Sequence, residues 1–332
     1  MGYIKPQTRI QTENLLNEFK GNLFEYLFAS HIARHFNIEK QFIQSLPPSF
    51  SQKLSDYELF IRKNEPSLIK QLFEWGHYTA SEFINRKQLK DVVSIKLVGK
   101  ITGGSHKDIF GEADVIIYID DNHFIPVSLK ICKAKAYVNT KSGGIKSFLH
   151  KYFSELSSVV EQKLLNEKVE LHFEEMTRDL HDLAGVNYTG DYKAWVASGL
   201  SELPGELESD MRNVLKQYYF KIIKELYISI KDYFDRDPNK AGYCLKRLFG
   251  LTYDEIIQVT CYYSENSTEV LIVDNDLYDR NLKKLILRPL RDGLSSFEFE
   301  CPDFLFQIRV KPMNKFTTAA MKVNCSIKHL SH

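Results

Sequence analysis

Asp114, Ser128 and Lys130 have residue types and a spacing that suit metal-assisted hydrolysis. Asp114 opens an apolar stretch, and Ser128 and Lys130 lie near the end of the next one. If the two stretches form an antiparallel hairpin, the three residues meet, and Ser128 and Lys130 share one face because strand side chains alternate. A carboxylate and a lysine on one face can hold a divalent cation and a water. Hydrolysis of a phosphodiester needs such an arrangement.

A strand hairpin has to position these residues. The sequence predicts a strand at 92–98, a glycine-rich loop, a strand at 113–119, a turn at 120–123 and a strand at 124–131. A loop at 133–144 and a helix from Ile145 to about Glu167 follow. A structural role stays open as the alternative, with Asp114 as a turn acid and Lys130 as an ordinary edge lysine.

Residues 18–165, about half of the chain, resemble the PD-(D/E)xK nuclease superfamily, which includes many type II restriction endonucleases. Asp114 matches the aspartate of the first motif strand, and Ser128-Leu129-Lys130 stands where the family usually has Asp/Glu-x-Lys. The segment Lys20–Tyr26 resembles the family's acidic helix, which makes Glu25 the matching acid. The resemblance implies that Asp114 and a second acid bind Mg2+, that Lys130 positions or activates the attacking water, and that Ser128 supports the site.

Position 128 departs from the family pattern because serine replaces the carboxylate. Glu25 and Glu112 are the first candidates for the missing acid, and Glu155 and Glu161 are further alternatives. If none of them reaches the metal, the resemblance implies a weak or catalytically silent site.

Two regions carry a local excess of cations. Residues 95–151 contain nine lysines against five acids, and the chain from 283 contains nine cations against four acids. The loop 139–144 precedes a predicted helix start, where backbone N–H groups suit a phosphate. The stretch from Arg309 is predicted as a loop between strands that can read base edges. The candidate DNA-binding residues are Lys107, Lys133, Lys135, Asn139, Thr140, Lys141, Ser142, Arg309, Lys311, Asn314 and Lys315.

The composition is that of a globular protein. Among 332 residues, 43% are apolar and 26% are charged, and the net charge of +1 shows no global cation excess. No apolar run approaches the ~20 residues that cross a bilayer, and the start of the chain does not resemble a signal peptide. Five widely spaced cysteines without a CxxC pair favour a reduced, cytoplasmic protein.

The order of elements predicts an α/β (α+β) fold. Helices are expected at 13–36, twice within 54–90 and at 206–236, and strands return at 269–273, 284–288, 304–310 and 321–327. We expect a mixed β-sheet flanked by helices, with a helical insertion and a β-rich C-terminal part. One soft boundary is predicted, between a nuclease core with N-terminal helices at 1–180 and a second region at 181–332.

These observations and the resemblance together predict a Mg2+-dependent, sequence-specific endonuclease acting on double-stranded DNA. Cutting both strands of a palindromic site suggests a homodimer. The alternatives are a catalytically silent DNA-binding or interaction protein of the same fold, and a structure-directed nuclease for repair or phage DNA.

Overall fold

A computed structural model describes residues 9–98, 113–248, 256–265, 267–313 and 315–330. They form two compact units, and each is made of separate stretches of chain. Unit 1 consists of the described residues within 1–136 and 251–278. Unit 2 consists of the described residues within 137–250 and 279–332. The predicted boundary near 180 does not coincide with this division, because 137–180 belong to unit 2 and the chain later returns to complete unit 1.

Unit 1 begins with four helices that cover a five-stranded sheet. The helices are α1 (Arg9–His35), α2 (Glu39–Ser45), α3 (Phe50–Asn64) and α4 (Leu68–Lys87). The break between α3 and α4 confirms the pair of helices predicted within 54–90. The strands of unit 1 are β1 (Ser94–Leu97), β2 (Val115–Tyr118), β3 (Phe124–Lys133), β5 (Ile257–Tyr263) and β6 (Thr268–Val273).

The sheet of unit 1 is mixed, with strand order β1-β2-β3-β5-β6. Strands β1, β2 and β3 form an antiparallel meander. Strand β5 pairs parallel to β3, and β6 pairs antiparallel to β5. A parallel neighbour requires a crossover connection, and here residues 134–256, which include most of unit 2, separate the two strands in sequence. The mixed sheet and the helical insertion agree with the predicted fold class.

The two faces of this sheet differ in chemistry. Val115, Val127, Leu129 and Val259 belong to the buried core that includes α1 and α4. Because successive side chains point to opposite faces, the alternating residues Asp114, Ser128 and Lys130 are placed on the other face. The alternation of apolar residues in β3 therefore fixes which side of the sheet carries Ser128 and Lys130, although β2 is apolar on both faces.

Unit 2 combines helices with a second, antiparallel sheet. Its helices are α5 (Phe148–Tyr152), α6 (Val159–Ala184), α7 (Lys193–Ala197), α8 (Ser209–Arg236) and α9 (Pro238–Leu248). Helix α10 (Asn275–Leu282) spans the last change of unit. The strands are β4 (Val138–Gly144), β7 (Ile286–Leu287), β8 (Ser296–Glu300), β9 (Phe304–Pro312) and β10 (Met321–His329), in the order β4-β10-β9-β8-β7.

One face of the second sheet is apolar and packs on α8. Tyr227 of α8 contacts Phe297 of β8 with ring centroids 5.3 Å apart, and Phe234 contacts Phe299 at 5.2 Å. Strand β9 continues this buried face with Phe306. The sheet confirms the β-rich C-terminal part.

The stretch after Ile145 differs from the predicted single helix. A three-residue 3-10 turn precedes the short α5, and residues 153–158 separate α5 from α6. Ser158 caps α6, and this cap starts a new helix where continuous periodicity was expected. In the described part of the chain, no helix is long and apolar enough to cross a membrane. None of the five cysteines, all of which lie in the described part of the chain, forms a disulfide.

Candidate functional site

The turn between β2 and β3 sets the register that brings the candidate residues together. Asp120 Oδ1 accepts hydrogen bonds from the backbone N–H groups of Asn122 and His123, each at 2.8 Å. Such an aspartate turn fixes the chain reversal through its own side chain. The strands pair from Tyr118–Phe124 to Val115–Val127, so Asp114 lies beside Ser128 one step further along the ladder.

The backbone of Asp114 is held from both neighbouring strands. Its N–H donates to the carbonyl of Val127 at 2.8 Å, and its carbonyl accepts from the N–H of Val98 at 3.0 Å. These two bonds fix the Cα position between β1 and β3. The carboxylate is therefore presented by a rigid part of the sheet, which suits a catalytic group.

One oxygen of the Asp114 carboxylate accepts hydrogen bonds from several donors. Oδ2 accepts from the backbone N–H of Leu129 at 2.7 Å, and from Ser128 Oγ and Lys130 Nζ at 3.4 Å each. Among the described residues, the structure gives Oδ1 no hydrogen-bond donor. The side chain is 17% exposed, so Oδ1 is the oxygen of this group that can take a metal ion.

Lys130 completes the cluster from the same face of β3. Its Nζ donates to Ser128 Oγ and to the carbonyl of Leu129, both at 3.0 Å, in addition to its contact with Asp114. Ser128 is buried, whereas the Lys130 side chain is 27% exposed. The ammonium group is thus held in place while its surroundings stay partly open to solvent. The structure brings Asp114, Ser128 and Lys130 together as the hairpin predicts.

Strand β5 adds two polar residues that the sequence analysis missed. Gln258 lies beside Ser128 and Thr260 beside Lys130 in the parallel register, and both are buried. Gln258 Nε2 donates to Thr260 Oγ1 at 3.4 Å. The alternation of Val259 and Cys261 with these polar residues is a strand signal, but it does not show which strand β5 pairs with. They add two polar side chains to the face of the sheet that carries Ser128 and Lys130.

The second acid of the site stays a prediction. Glu25 lies on α1, where its Oε2 is buried, and Glu112 and Lys107 lie outside the described residues. In unit 2, Glu155 is exposed. In the same unit, Glu161 accepts from the backbone N–H of Ser158 at 2.6 Å and pairs with Arg236 at 3.1 Å. These contacts give Glu161 a structural role at the start of α6.

We expect Ser158→Ala to lower stability, because the serine Oγ accepts from the Glu161 N–H at 3.1 Å in a capping box. Loss of such a cap costs about 1 kcal/mol and lowers the melting temperature by about 2–4 °C. Burial raises the pKa of Glu161, but hydrogen bonds with Ser158 and the charge of Arg236 outweigh it and hold this pKa below its ordinary value. The stability from Glu161 is therefore present above its unfolded-state pKa and is lost as pH falls through the folded-state pKa.

Thermal melts over an acidic pH series measure this effect. Ser209→Ala is the matched control, since Ser209 begins α8, whose N-cap makes no side-chain bond. A melting temperature for Ser158→Ala equal to that of Ser209→Ala would contradict the structural role of the cap.

Two candidate DNA-binding lysines lie where β3 ends. Lys133 is the last residue of β3, and Lys135 sits in the following turn with a φ of 63°. Lys133 borders a cavity of ≈ 390 Å³ together with Trp75 and Tyr263. The contacts of both lysines with DNA stay a prediction.

The predicted loop at 139–144 is wrong, because these residues form strand β4 and pair with β10. Thr140 sits at an irregularity of this pairing, where its Oγ1 donates to the carbonyls of Leu248 and Cys325 at 3.0 and 3.1 Å. Gly144 precedes only a 3-10 turn, so the predicted phosphate-binding helix start is absent here. Asn139, Lys141 and Ser142 keep their proposed DNA contacts as predictions, now on a strand.

The second predicted DNA-binding loop is also partly a strand. Arg309 and Lys311 lie within β9, and Lys315 lies in the connection to β10, where it pairs with Glu202. Asn314 lies outside the described residues. Strand β9 extends further than predicted because it pairs with β10 as far as Pro312–Met321.

The donor set around Asp114 can be compared with the needs of Mg2+. The described residues contain no group of three or more His, Cys, Asp or Glu side chains that could hold a metal. Mg2+ keeps several waters and uses one or two carboxylates with substrate phosphates, so Asp114 Oδ1 with one further acid would fit it. Compared with known protein families and with curated protein sequences, the chain gives no significant match.

Proposed function

We propose that the protein is a Mg2+-dependent endonuclease that hydrolyses phosphodiester bonds in double-stranded DNA. The observation that carries this proposal is the convergence of Asp114, Ser128 and Lys130 on the polar face of the mixed sheet. Asp114 would bind the metal together with Glu25 or Glu112. Lys130 and Ser128 would complete the site.

The order of elements in unit 1 supports the same proposal. Helix α1 with Glu25 comes first, then the strand that follows Asp114, a tight turn, and the strand that carries Lys130. This is the order of the motif elements in the resemblance to PD-(D/E)xK nucleases. A fold alone does not define an activity, so the proposal depends on the side-chain cluster.

Asp114 and Lys130 would have different roles in the hydrolysis. A Mg2+ bound at Asp114 would lower the pKa of a coordinated water and neutralise charge on the phosphate. Lys130 Nζ is positioned by Ser128 and by the Leu129 carbonyl, and it would orient the attacking water and stabilise the negative charge that develops on the phosphate oxygens. Hydrolysis would leave one phosphate end and one hydroxyl end.

Plasmid cleavage tests the proposed activity. We expect supercoiled plasmid to become nicked or linear with Mg2+ or Mn2+, and to remain intact with EDTA. Sequence-specific cutting would give discrete fragments, whereas a structure-directed nuclease would prefer branched or flapped oligonucleotides. If neither plasmid nor an oligonucleotide library is cut with either metal, the protein is not this enzyme.

A catalytically silent DNA-binding protein is the second candidate. The serine at position 128 favours it, because that position lacks the carboxylate of the resembling family. The same assay separates the candidates, since a silent protein binds DNA without metal-dependent cleavage. With the nuclease we also propose a homodimer that matches a palindromic site. We also propose a cytoplasmic location, which suits five cysteines that form no disulfide among the described residues.

A further inference from the structure

The outward face of β9 and β10 in unit 2 is polar, whereas their other face is buried. Arg309 and Lys311 are exposed on β9 and alternate with the buried Ile308 and Val310. On β10, Lys322 lies directly opposite Lys311, and Asn324 lies opposite Arg309. We call Arg309, Lys311, Lys322 and Asn324 the β9–β10 patch.

The cations of the β9–β10 patch have no acidic partner in the part of the chain that the structure describes. Among the described residues, no acid forms an ion pair with Arg309, Lys311 or Lys322. Partial desolvation of its ammonium group by neighbouring atoms lowers the pKa of Lys311, although the residue is exposed as a whole, and the charges of Lys322 and Arg309 lower it further. Like charges directly opposite each other on neighbouring strands are destabilising. The repulsion between Lys311 and Lys322 lowers the stability of the folded state, and an anion that binds at the β9–β10 patch would reduce this repulsion.

The neighbouring strand β8 carries two acids on the same face, and both already have partners. Glu298 lies opposite Gln307, and Glu300 lies opposite Leu305. Arg288 bonds both glutamates, at 3.4 and 2.8 Å. These acids therefore leave the charge of the β9–β10 patch uncompensated.

A cavity that contains two arginines adjoins the β9–β10 patch. This cavity of ≈ 90 Å³ is lined by the polar residues Arg288, Arg291, Ser296, Glu298 and Gln307 and by the apolar residues Pro289, Leu294 and Phe297. Ser296 lies opposite Arg309 in the β8–β9 ladder, so this cavity borders the patch.

We propose that the β9–β10 patch of unit 2 docks the sugar-phosphate backbone of double-stranded DNA. This inference rests on the proposed function and assigns its substrate a binding surface outside the Asp114 site. A duplex presents about one negative charge per 1.7 Å of axis, and such contacts position a protein on DNA without reading its sequence. The patch contains no aromatic residue, whereas binding of single strands typically relies on aromatic rings that stack bases.

Fluorescence anisotropy with a labelled duplex in EDTA tests this docking in the full chain. We expect Arg309→Ala/Lys311→Ala/Lys322→Ala to weaken binding by at least about tenfold and to reduce the salt slope by about 1 per lost phosphate contact. The matched control is Lys163→Ala/Lys193→Ala/Lys231→Ala, which removes the same charge from exposed helical positions of unit 2. The control should bind almost as wild type does.

The variant Lys311→Glu distinguishes a loss of DNA binding from a loss of folding. It places a carboxylate opposite Lys322, so we expect an unchanged or higher melting temperature together with weaker duplex binding. Wild-type affinity in the triple variant, equal losses in the matched control, or tighter binding of single-stranded DNA or RNA than of duplex would each overturn the docking proposal. Cleavage with Mg2+ reports separately on the proposed function, because duplex binding without cleavage leaves the docking intact and rejects the nuclease.

Discussion

Replacing Lys130 by alanine is expected to reduce Mg2+-dependent plasmid cleavage by roughly 10²–10⁴-fold, the usual contribution of a positioned proton-transfer or charge-stabilising group. The ammonium lies 3.4 Å from Asp114 Oδ2 and 3.0 Å from Ser128 Oγ. Without it, the attacking water and the developing phosphate charge lose their nearest cation on β3. Duplex binding measured in EDTA should persist, since the change leaves unit 2 intact.

The matched control for this variant is Lys87→Ala. Lys87 is also a partly buried lysine of unit 1, and its Nζ pairs with Asp274 at 2.8 Å. Both variants lose an ion pair of the same unit, so a shared drop in melting temperature would report only on stability. Cleavage should fall in Lys130→Ala alone. Equal cleavage rates in the two variants would show that Lys130 has no catalytic role.

The sequence was sufficient to predict the hairpin that carries the candidate site. Apolar residues alternate along β3 and form a continuous run in β2, and the Asp120 turn fixes the register, so the proximity of Asp114 to Lys130 follows from local rules. Helices α3 and α4 were predictable for a similar reason, because a proline between them interrupts a clear helical period.

Long-range pairing explains what the sequence did not reveal. Strand β4 reads as a glycine-rich polar loop, and it becomes a strand only because β10, far along the chain, supplies its hydrogen bonds. Strand β5 joins β3 after more than one hundred intervening residues, so Gln258 and Thr260 could not be placed beside the site. The division into two discontinuous units follows from the same non-local pairing. No local pattern shows which acid accompanies Asp114.

Ser128→Asp tests directly whether a metal binds beside Asp114. Ser128 Oγ lies 3.4 Å from Asp114 Oδ2, so the new carboxylate would face an existing one at a buried position. Two carboxylates that share a site repel each other, and the pKa of one of them rises. We therefore expect a lower melting temperature than wild type in EDTA at neutral pH. This loss of stability should become smaller as pH falls. A carboxyl group whose pKa is higher in the folded than in the unfolded state destabilises the protein only at pH values above its unfolded-state pKa.

Mg2+ should reverse the destabilisation in Ser128→Asp, since a divalent cation between the carboxylates turns repulsion into coordination. Ligand at about 100 times its Kd stabilises by about 2.7 kcal/mol, which raises the melting temperature by roughly 5 °C or more in a unit of this size. Ser128→Asn is the control, because it has nearly the same shape without the charge. Differential scanning calorimetry with and without Mg2+ measures both variants. If Mg2+ stabilised neither variant, metal binding at Asp114 would be contradicted. A larger response in Ser128→Asp than in Ser128→Asn would show that position 128 borders the metal site and that the native serine weakens metal binding there.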